Sequence, residues 1–352
     1  MGLEPGQGAA CLFCPGSDRE AVEREGCGYG KERDFMKKRK VILFFAALGG
    51  LISILFVYRC KANKSLQEQP PLYLLKCSQE KHGLYQVDAN LVGSRALSLK
   101  EYDLFAGVDY KRDTGKLLSY ALNEGIIEYA YSAKKQENLL LYEEIEQIEE
   151  QLKSAKKGIF QLTDVQYMQN LNQISFVYGK WGSRGEGNLY SYNQVSKEIQ
   201  EICSLSTQGS YCWMEAENRL YFINNETLLC RNLITGEESE VLSPAINFAM
   251  SPKEEYIAIW REKKFEHGRT YDLYLWDKVN GKEEHIENVP FWGRIAFSPD
   301  GNYVAYLAET SGILGSILNG TKPVLSIYDI KRKSIIKQKR GNYQDVWADV
   351  SW

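Results

Sequence analysis

Histidine is nearly missing from this chain: His82, His267 and His285 are the three among 352 residues. None has a partner at metal-ligand spacing, so no metal centre is expected. Also missing are a G-x-S-x-G elbow, a phosphate-binding glycine loop and an H-E-x-x-H helix. The sequence therefore calls for no cofactor, and an enzyme is not the first expectation. Charge of one sign is missing too. Lys and Arg total 43 against 46 Asp and Glu, a net of −3, and the pI is near 5.9. No basic field points to nucleic acid. Cysteine, at eight residues, is too sparse for a disulfide scaffold. Cys11, Cys14 and Cys27 have no fourth ligand nearby, which argues against a zinc knuckle in the N-terminal segment. Cys60, Cys77, Cys203, Cys212 and Cys230 are odd in number, so at least one thiol stays unpaired within the chain. Free buried thiols are the plain expectation, and one disulfide among Cys203, Cys212 and Cys230 is the alternative.

What is present is tyrosine, 23 residues of it, with few Ala-rich stretches, a composition that suits β-structure. The most ordered stretch runs from Gly293 to Lys337. Four apolar-alternating runs stand in it: Arg294–Phe297, Tyr303–Leu307, Val324–Tyr328 and Ser334–Lys337. Between the first two lies Ser298-Pro299-Asp300-Gly301, where Pro fixes φ and Gly accepts φ > 0, the makings of a tight turn. The same order stands upstream as Ile246–Met250, Ser251-Pro252, Tyr256–Trp260, Leu273–Trp276 with Asp277, and Glu284–Ile286. Phe297-Ser298-Pro299 answers Met250-Ser251-Pro252, and Tyr303-Val304-Ala305 answers Tyr256-Ile257-Ala258, each 47 residues apart. Four antiparallel strands per repeat of this length make a β-propeller blade. The pattern SPxx(N/E)Y(V/I)A followed by (Y/W)D resembles the TolB-like β-propeller repeats over about 246–337. The resemblance implies a six-bladed propeller, commonly outside the cytoplasm, that binds proteins or peptides. WD-repeat propellers are the neighbouring pattern, but no Gly-His stands at the expected place.

Before the propeller, Val41–Tyr58 is an uncharged apolar run that would span roughly 27 Å as a helix, enough for a bilayer core. Lys37-Lys38-Arg39-Lys40 precede it, so the N-terminus is expected in the cytoplasm and the bulk of the chain outside, on a single-pass plasma-membrane anchor. A cleaved signal peptide is the alternative, but no A-x-A-like site follows the run. Met36 begins a complete short anchor signal, which leaves residues 1–35 either a cytoplasmic tail or an upstream extension. The expected organisation is a tail over 1–40, an anchor over 41–58, a polar linker over 59–71 and a propeller over 72–352. The composition and short anchor suggest a bacterial cell-envelope protein.

The first blade shows three runs, Tyr73–Cys77, Leu84–Asp88 and Arg95–Leu99, and lacks a first strand. Val346–Trp352 supplies one at the other end of the chain, so pairing of the two termini is expected to close the ring, with Trp347 and Trp352 packing between blades. The second blade is expected over Tyr102–Leu162, with strands at Leu117–Leu122 and Ile126–Tyr131. Asn138–Lys156 in it reads as an inserted helix, with Asn138–Tyr142 alternatively a strand. The third blade is expected over Val165–Leu205 and the fourth over Gly209–Leu242.

Asp88, Asp277 and Asp329 recur at one repeat position and read as turn acceptors rather than a catalytic set. The longest insertions, Gly179–Gly187, Glu262–Thr270 and Ala308–Lys322, all fall between second and third strands and so crowd one face. They carry Lys180, Trp181, Arg184, Lys263, Lys264, Phe265, His267 and Arg269, a basic and aromatic set suited to a protein, a peptide or an anionic envelope polymer. The expected function is a non-enzymatic binding or scaffold propeller at the cell surface. A propeller enzyme acting on polysaccharide or peptide is the alternative, and would need acids or histidines converging at the ring centre; an accessory subunit of a membrane complex is a third.

Overall fold

Among the described residues, alternating β-branched and aromatic runs separated by turn residues form 24 strands, arranged as six four-stranded sheets. The computed structural model describes residues 64–352, apart from 79–81, 98–104, 112–113, 122–124, 131–134, 154–159, 169–171, 181–185, 207–209, 215–217, 267, 311–321 and 343–344. Val41–Tyr58 lies outside the described residues. Among those that are described, no helix is long and apolar enough to cross a membrane.

The first blade is built from both ends of the chain: β1 (Leu72–Ser78), β2 (His82–Val87), β3 (Ser94–Ala96) and the C-terminal β24 (Asp345–Ser351). The second blade holds β4 (Phe105–Lys111), β5 (Lys116–Ala121), β6 (Gly125–Ala130) and β7 (Lys135–Leu141), followed by α1 (Tyr142–Lys153). The third holds β8 (Phe160–Tyr167), β9 (Gln173–Lys180), β10 (Glu186–Asn193) and β11 (Ile199–Ser206). The fourth holds β12 (Tyr211–Met214), β13 (Arg219–Asn224), β14 (Thr227–Asn232) and β15 (Glu238–Leu242). The fifth is β16 (Asn247–Met250), β17 (Tyr256–Phe265), β18 (Gly268–Asp277) and β19 (Lys282–Val289); the sixth is β20 (Phe291–Phe297), β21 (Tyr303–Thr310), β22 (Lys322–Asp329) and β23 (Ser334–Arg340). Neighbouring strands in every blade are antiparallel. The turns between first and second and between third and fourth strands therefore share one face. The second-to-third turns and the links between blades share the other.

Six apolar clusters hold the ring, one at each blade-to-blade interface. Ring closure by the two termini is as the sequence predicts. β24 pairs with β1 from Tyr73↔Ser351 to Ser78↔Asp345. Trp352 stacks on Tyr303 at 6.2 Å and donates its Nε1–H to the Pro70 carbonyl at 2.9 Å. Trp347 packs on the sixth blade, where a Cβ added at Gly341 would come within 3.0 Å of its ring. Residues 64–70, within the expected polar linker, lie against the propeller. Leu66 is fully buried, the Tyr303 hydroxyl meets Ser65 Oγ at 3.0 Å, and Gln69 donates to Asp300 at 2.8 Å. Leu66 is an apolar residue that a polar segment average conceals.

Three other expectations are revised. The third blade begins at Phe160, so Leu162 belongs to it and not to the second. The helix expected over Asn138–Lys156 gives its first four residues to β7, and α1 starts at Tyr142 with Ile145 and Ile148 buried on its apolar face. Glu262–Thr270 is not a loop: β17 and β18 continue pairing out to Phe265↔Gly268, forming one long hairpin. Cys203, Cys212 and Cys230 are free thiols, and burial pushes the first two up to about 12.

The turn reading holds at Asp277 and Asp329 and fails at Asp88. Asp277 Oδ1 accepts the amides of Val279 and Asn280 at 3.0 Å, and Asp329 Oδ1 that of Arg332 at 2.9 Å. In the first blade the acceptor is Asn90, bonded to the Val92 amide at 2.9 Å, rather than Asp88. Ser251 and Ser298 each accept the amide five residues on at 2.9 Å, which explains the recurring Ser-Pro.

Candidate functional site

The structure gathers four of the predicted face residues on one hairpin. Lys263, Lys264 and Phe265 end β17, and Arg269 begins β18. The buried Glu262 carboxylate holds two of the cations, Arg269 at 3.3 Å and Lys264 at 3.6 Å. Lys263 Nζ sits 5.6 Å from the Phe265 ring centre, a cation–π contact on a ring that is 54% exposed. Phe291 is also exposed and starts β20 at the same end of the ring. Lys180 closes β9 opposite Phe160. Trp181, Arg184 and His267 lie outside the described residues.

A second site was not foreseen. The first strands of all six blades, β4, β8, β12, β16, β20 and β24, surround a central cavity of about 330 Å³. Four of them carry a β-bulge: β4 between Ala106 and Val108, β8 between Thr163 and Gln166, β20 between Trp292 and Ile295, and β24 opposite Leu75–Lys76. A bulge inserts an unpaired residue, and in β8 and β20 this brings Asp164 and Arg294 to the ring centre, whereas Asp109 and Asp349 keep regular partners in Leu118 and Leu75. Asp164 lies in one such bulge with φ of 50°, and Arg294 in another.

Side chains at this level stitch each blade to the next. Asp349 accepts the Val108 amide at 2.8 Å, Asp109 accepts the Tyr167 amide at 2.8 Å, and Gln166 donates to the Tyr211 carbonyl at 3.2 Å. Ser210 Oγ accepts the Phe248 amide at 3.3 Å, and Trp260 Nε1 donates to the Gly293 carbonyl at 2.8 Å. Arg294 spans the ring, paired with Asp164 and lying 3.8 Å from Asp349. Burial drives the Asp349 carboxyl above its ordinary value; the Arg294 charge and the Val108 and Val350 amides only partly offset it. Asn247 alone breaks the pattern. It is 1% exposed, lines the cavity, and neither its amide nitrogen nor its oxygen has a hydrogen-bond partner.

No protein-family model matches this sequence, and no curated protein is significantly similar to it. The fold has solved counterparts. TolB from Acinetobacter baumannii superposes with a TM-score of 0.61 at 12% identity, covering 82% of this chain and 67% of that one. A chain of a nidogen/laminin complex superposes with a TM-score of 0.55 at 7% identity, covering 80% and 97%. The fold is a six-bladed β-propeller. At such identities the likeness extends to the fold and stops there.

The central site escaped sequence reading because its residues share no motif: Asp109, Asp164, Asn247, Arg294 and Asp349 come from five blades, each in the strand with the weakest alternation. The usable signal was the polar residue within a predicted first strand, Asn247 in Ile246–Met250, Arg294 in Arg294–Phe297 and Asp349 in Val346–Trp352; Asp109 and Asp164 fell in no predicted strand.

Proposed function

We propose that this chain is a non-enzymatic binding propeller whose partner is a protein or peptide. We further propose that Val41–Tyr58 anchors it in the plasma membrane with the propeller outside the cytoplasm. The observation that carries the binding reading is the projecting β17–β18 hairpin, which presents an exposed phenylalanine with Lys263 over its ring and carries Lys264 and Arg269 paired to Glu262. Aromatic residues and Arg are enriched at protein contacts, and the hairpin presents Phe265 and Arg269. A propeller of this shape in a nidogen/laminin complex is in keeping with that use of the fold.

The test is a photoreactive residue placed at Phe265 in the full chain in cells, with Val279 on the opposite face as the control. One discrete adduct specific to position 265 is expected. Identical adducts at both positions, or none at 265, overturn the reading. A propeller enzyme is the second reading, favoured by Asp109, Asp164 and Asp349 converging at the cavity, which is polar rather than apolar. It would be recognised by turnover of an oligosaccharide or peptide that Asp109→Asn abolishes.

A further inference from the structure

We propose that the central cavity, separate from the hairpin, binds an organic cation: an ammonium or guanidinium group borne by a small molecule or by a peptide side chain. Charge is the first observation. Among the described residues, the charged ones of the lining are Asp109, Asp164, Arg294 and Asp349, a formal balance of three carboxylates against one guanidinium. Arg294 is already engaged by Asp164 and Asp349, so it offers little to an anion, and the formal charge of the described lining is negative. Asn247 is the second. A buried amide with both ends unbonded is costly in a folded protein and is retained where something else completes it. Its oxygen would accept an N–H of the cation, and its nitrogen would donate to an oxygen carried alongside.

Tyr211, Phe248, Phe297 and Trp352 also border the cavity, each with its ring packed into a blade interface. A volume of about 330 Å³ lies at the lower end of small-ligand sites. Bulges in β8 and β20 hold Asp164 and Arg294 there at the cost of regular pairing, and β-bulges gather where a side chain must be re-aimed. Among the described residues no three acidic, histidine or cysteine groups stand close enough together to hold a metal ion.

The experiment is calorimetric titration of the full-length chain with two probes, agmatine and the tripeptide Gly-Arg-Gly, with sodium acetate and calcium chloride as controls. Saturable 1:1 binding of at least one probe, weakened by added salt, is expected. Agmatine binding assigns a small-molecule source, and binding of the tripeptide alone assigns a peptide. Asn247→Ala should weaken binding at least tenfold while leaving the thermal unfolding temperature of the free protein unchanged or raised, since it removes an unbonded amide. Asp109→Asn, which keeps an acceptor for the Tyr167 amide, should weaken it as well. Saturation by calcium but by neither probe, no saturable binding at all, or undiminished binding in Asn247→Ala overturns the proposal. So does an Asn247→Ala protein that unfolds at a lower temperature and binds the probes as before, which would make Asn247 a structural residue only.

Discussion

β16 and β17 are hydrogen-bonded neighbours, yet they are built on opposite rules. β17 buries Ile257, Ala258, Ile259 and Trp260 completely and in succession, whereas β16 opens with an unbonded Asn247 at the cavity wall. The contrast repeats around the ring. Second strands such as Leu220–Ile223 and Val304–Leu307 lie between two blades and are apolar on both faces. First strands face a neighbour on one side and the cavity on the other, and they carry bulges, polar residues and charge. Stability is therefore concentrated one strand behind the surface where a ligand would be held. The division suits a scaffold whose centre can vary while its interfaces stay fixed.

The largest effect tests how far that division goes. Deleting residues 346–352 removes a first strand, but it also removes ring closure, the Trp352–Tyr303 stack and the Asp349 bond to the second blade. We expect loss of most of a domain stability of about 5–15 kcal/mol, and aggregation through the bared β1 edge. Thermal unfolding and light scattering of the full chain would show it. A shift no larger than that of a surface substitution would mean closure is dispensable. The next largest is Trp260→Ala in β17. It empties a fully buried site and loses the bond to Gly293 and the edge contact with Tyr306 at 6.0 Å. A cost of about 3–5 kcal/mol is expected by denaturant titration. An equal cost for Asn247→Ala would erase the distinction between the strands.

The same distinction explains what was legible in the sequence. Blades five and six were readable because Ser-Pro turns, Tyr-Ile-Ala and Tyr-Val-Ala second strands and terminal Asp residues are local signals repeated at a fixed offset. Ring closure was readable from a count of strands, since a blade short of one strand and a strand short of a blade imply each other. The hairpin was misread as a loop because Glu262–Thr270 is charged. Exposed strands pair through their backbones, which are indifferent to that charge. The cavity was hidden because its members come from first strands far apart in the chain, and only closure of the ring brings them together.

A smaller effect probes a bulge directly. A Cβ added at Gly293 would lie 2.8 Å from Leu307 Cβ and 3.0 Å from its carbonyl oxygen. Gly293→Ala must therefore push β20 away from β21 and displace the neighbouring Arg294. A loss of about 1–3 kcal/mol is expected, read as a lowered denaturant midpoint with an unchanged slope. If the variant is as stable as the parent, the bulge is looser than its contacts imply, and the geometry of the first strands is not fixed by them.

The smallest effect lies on the rim, at Glu254. This residue takes the left-handed turn position, φ of 56°, that Gly301 fills with φ of 73° in the sixth blade. A non-glycine residue is tolerated there because its carboxylate is clamped from two blades. Tyr221 donates to it at 2.8 Å, Arg219 approaches at 3.1 Å and Lys278 at 3.2 Å. Burial alone would raise the Glu254 carboxyl; the Tyr221 and Lys278 hydrogen bonds, with the charges of Lys278 and Arg219, outweigh it and hold the group below its ordinary value. The sign follows from proton linkage. In the window between the depressed folded value and the ordinary unfolded one, the unfolded chain binds more protons, so the contribution of Glu254 is complete above that window and is lost as pH falls through it. Glu254→Gln should cost about 1 kcal/mol at neutral pH, and the gap to the parent should close as the pH is lowered through the window. Trp260→Ala, whose cost is apolar, should keep its gap over the same range. A pH-independent deficit for Glu254→Gln would show that the turn is held by packing rather than by charge, and the rim would then belong with the second strands.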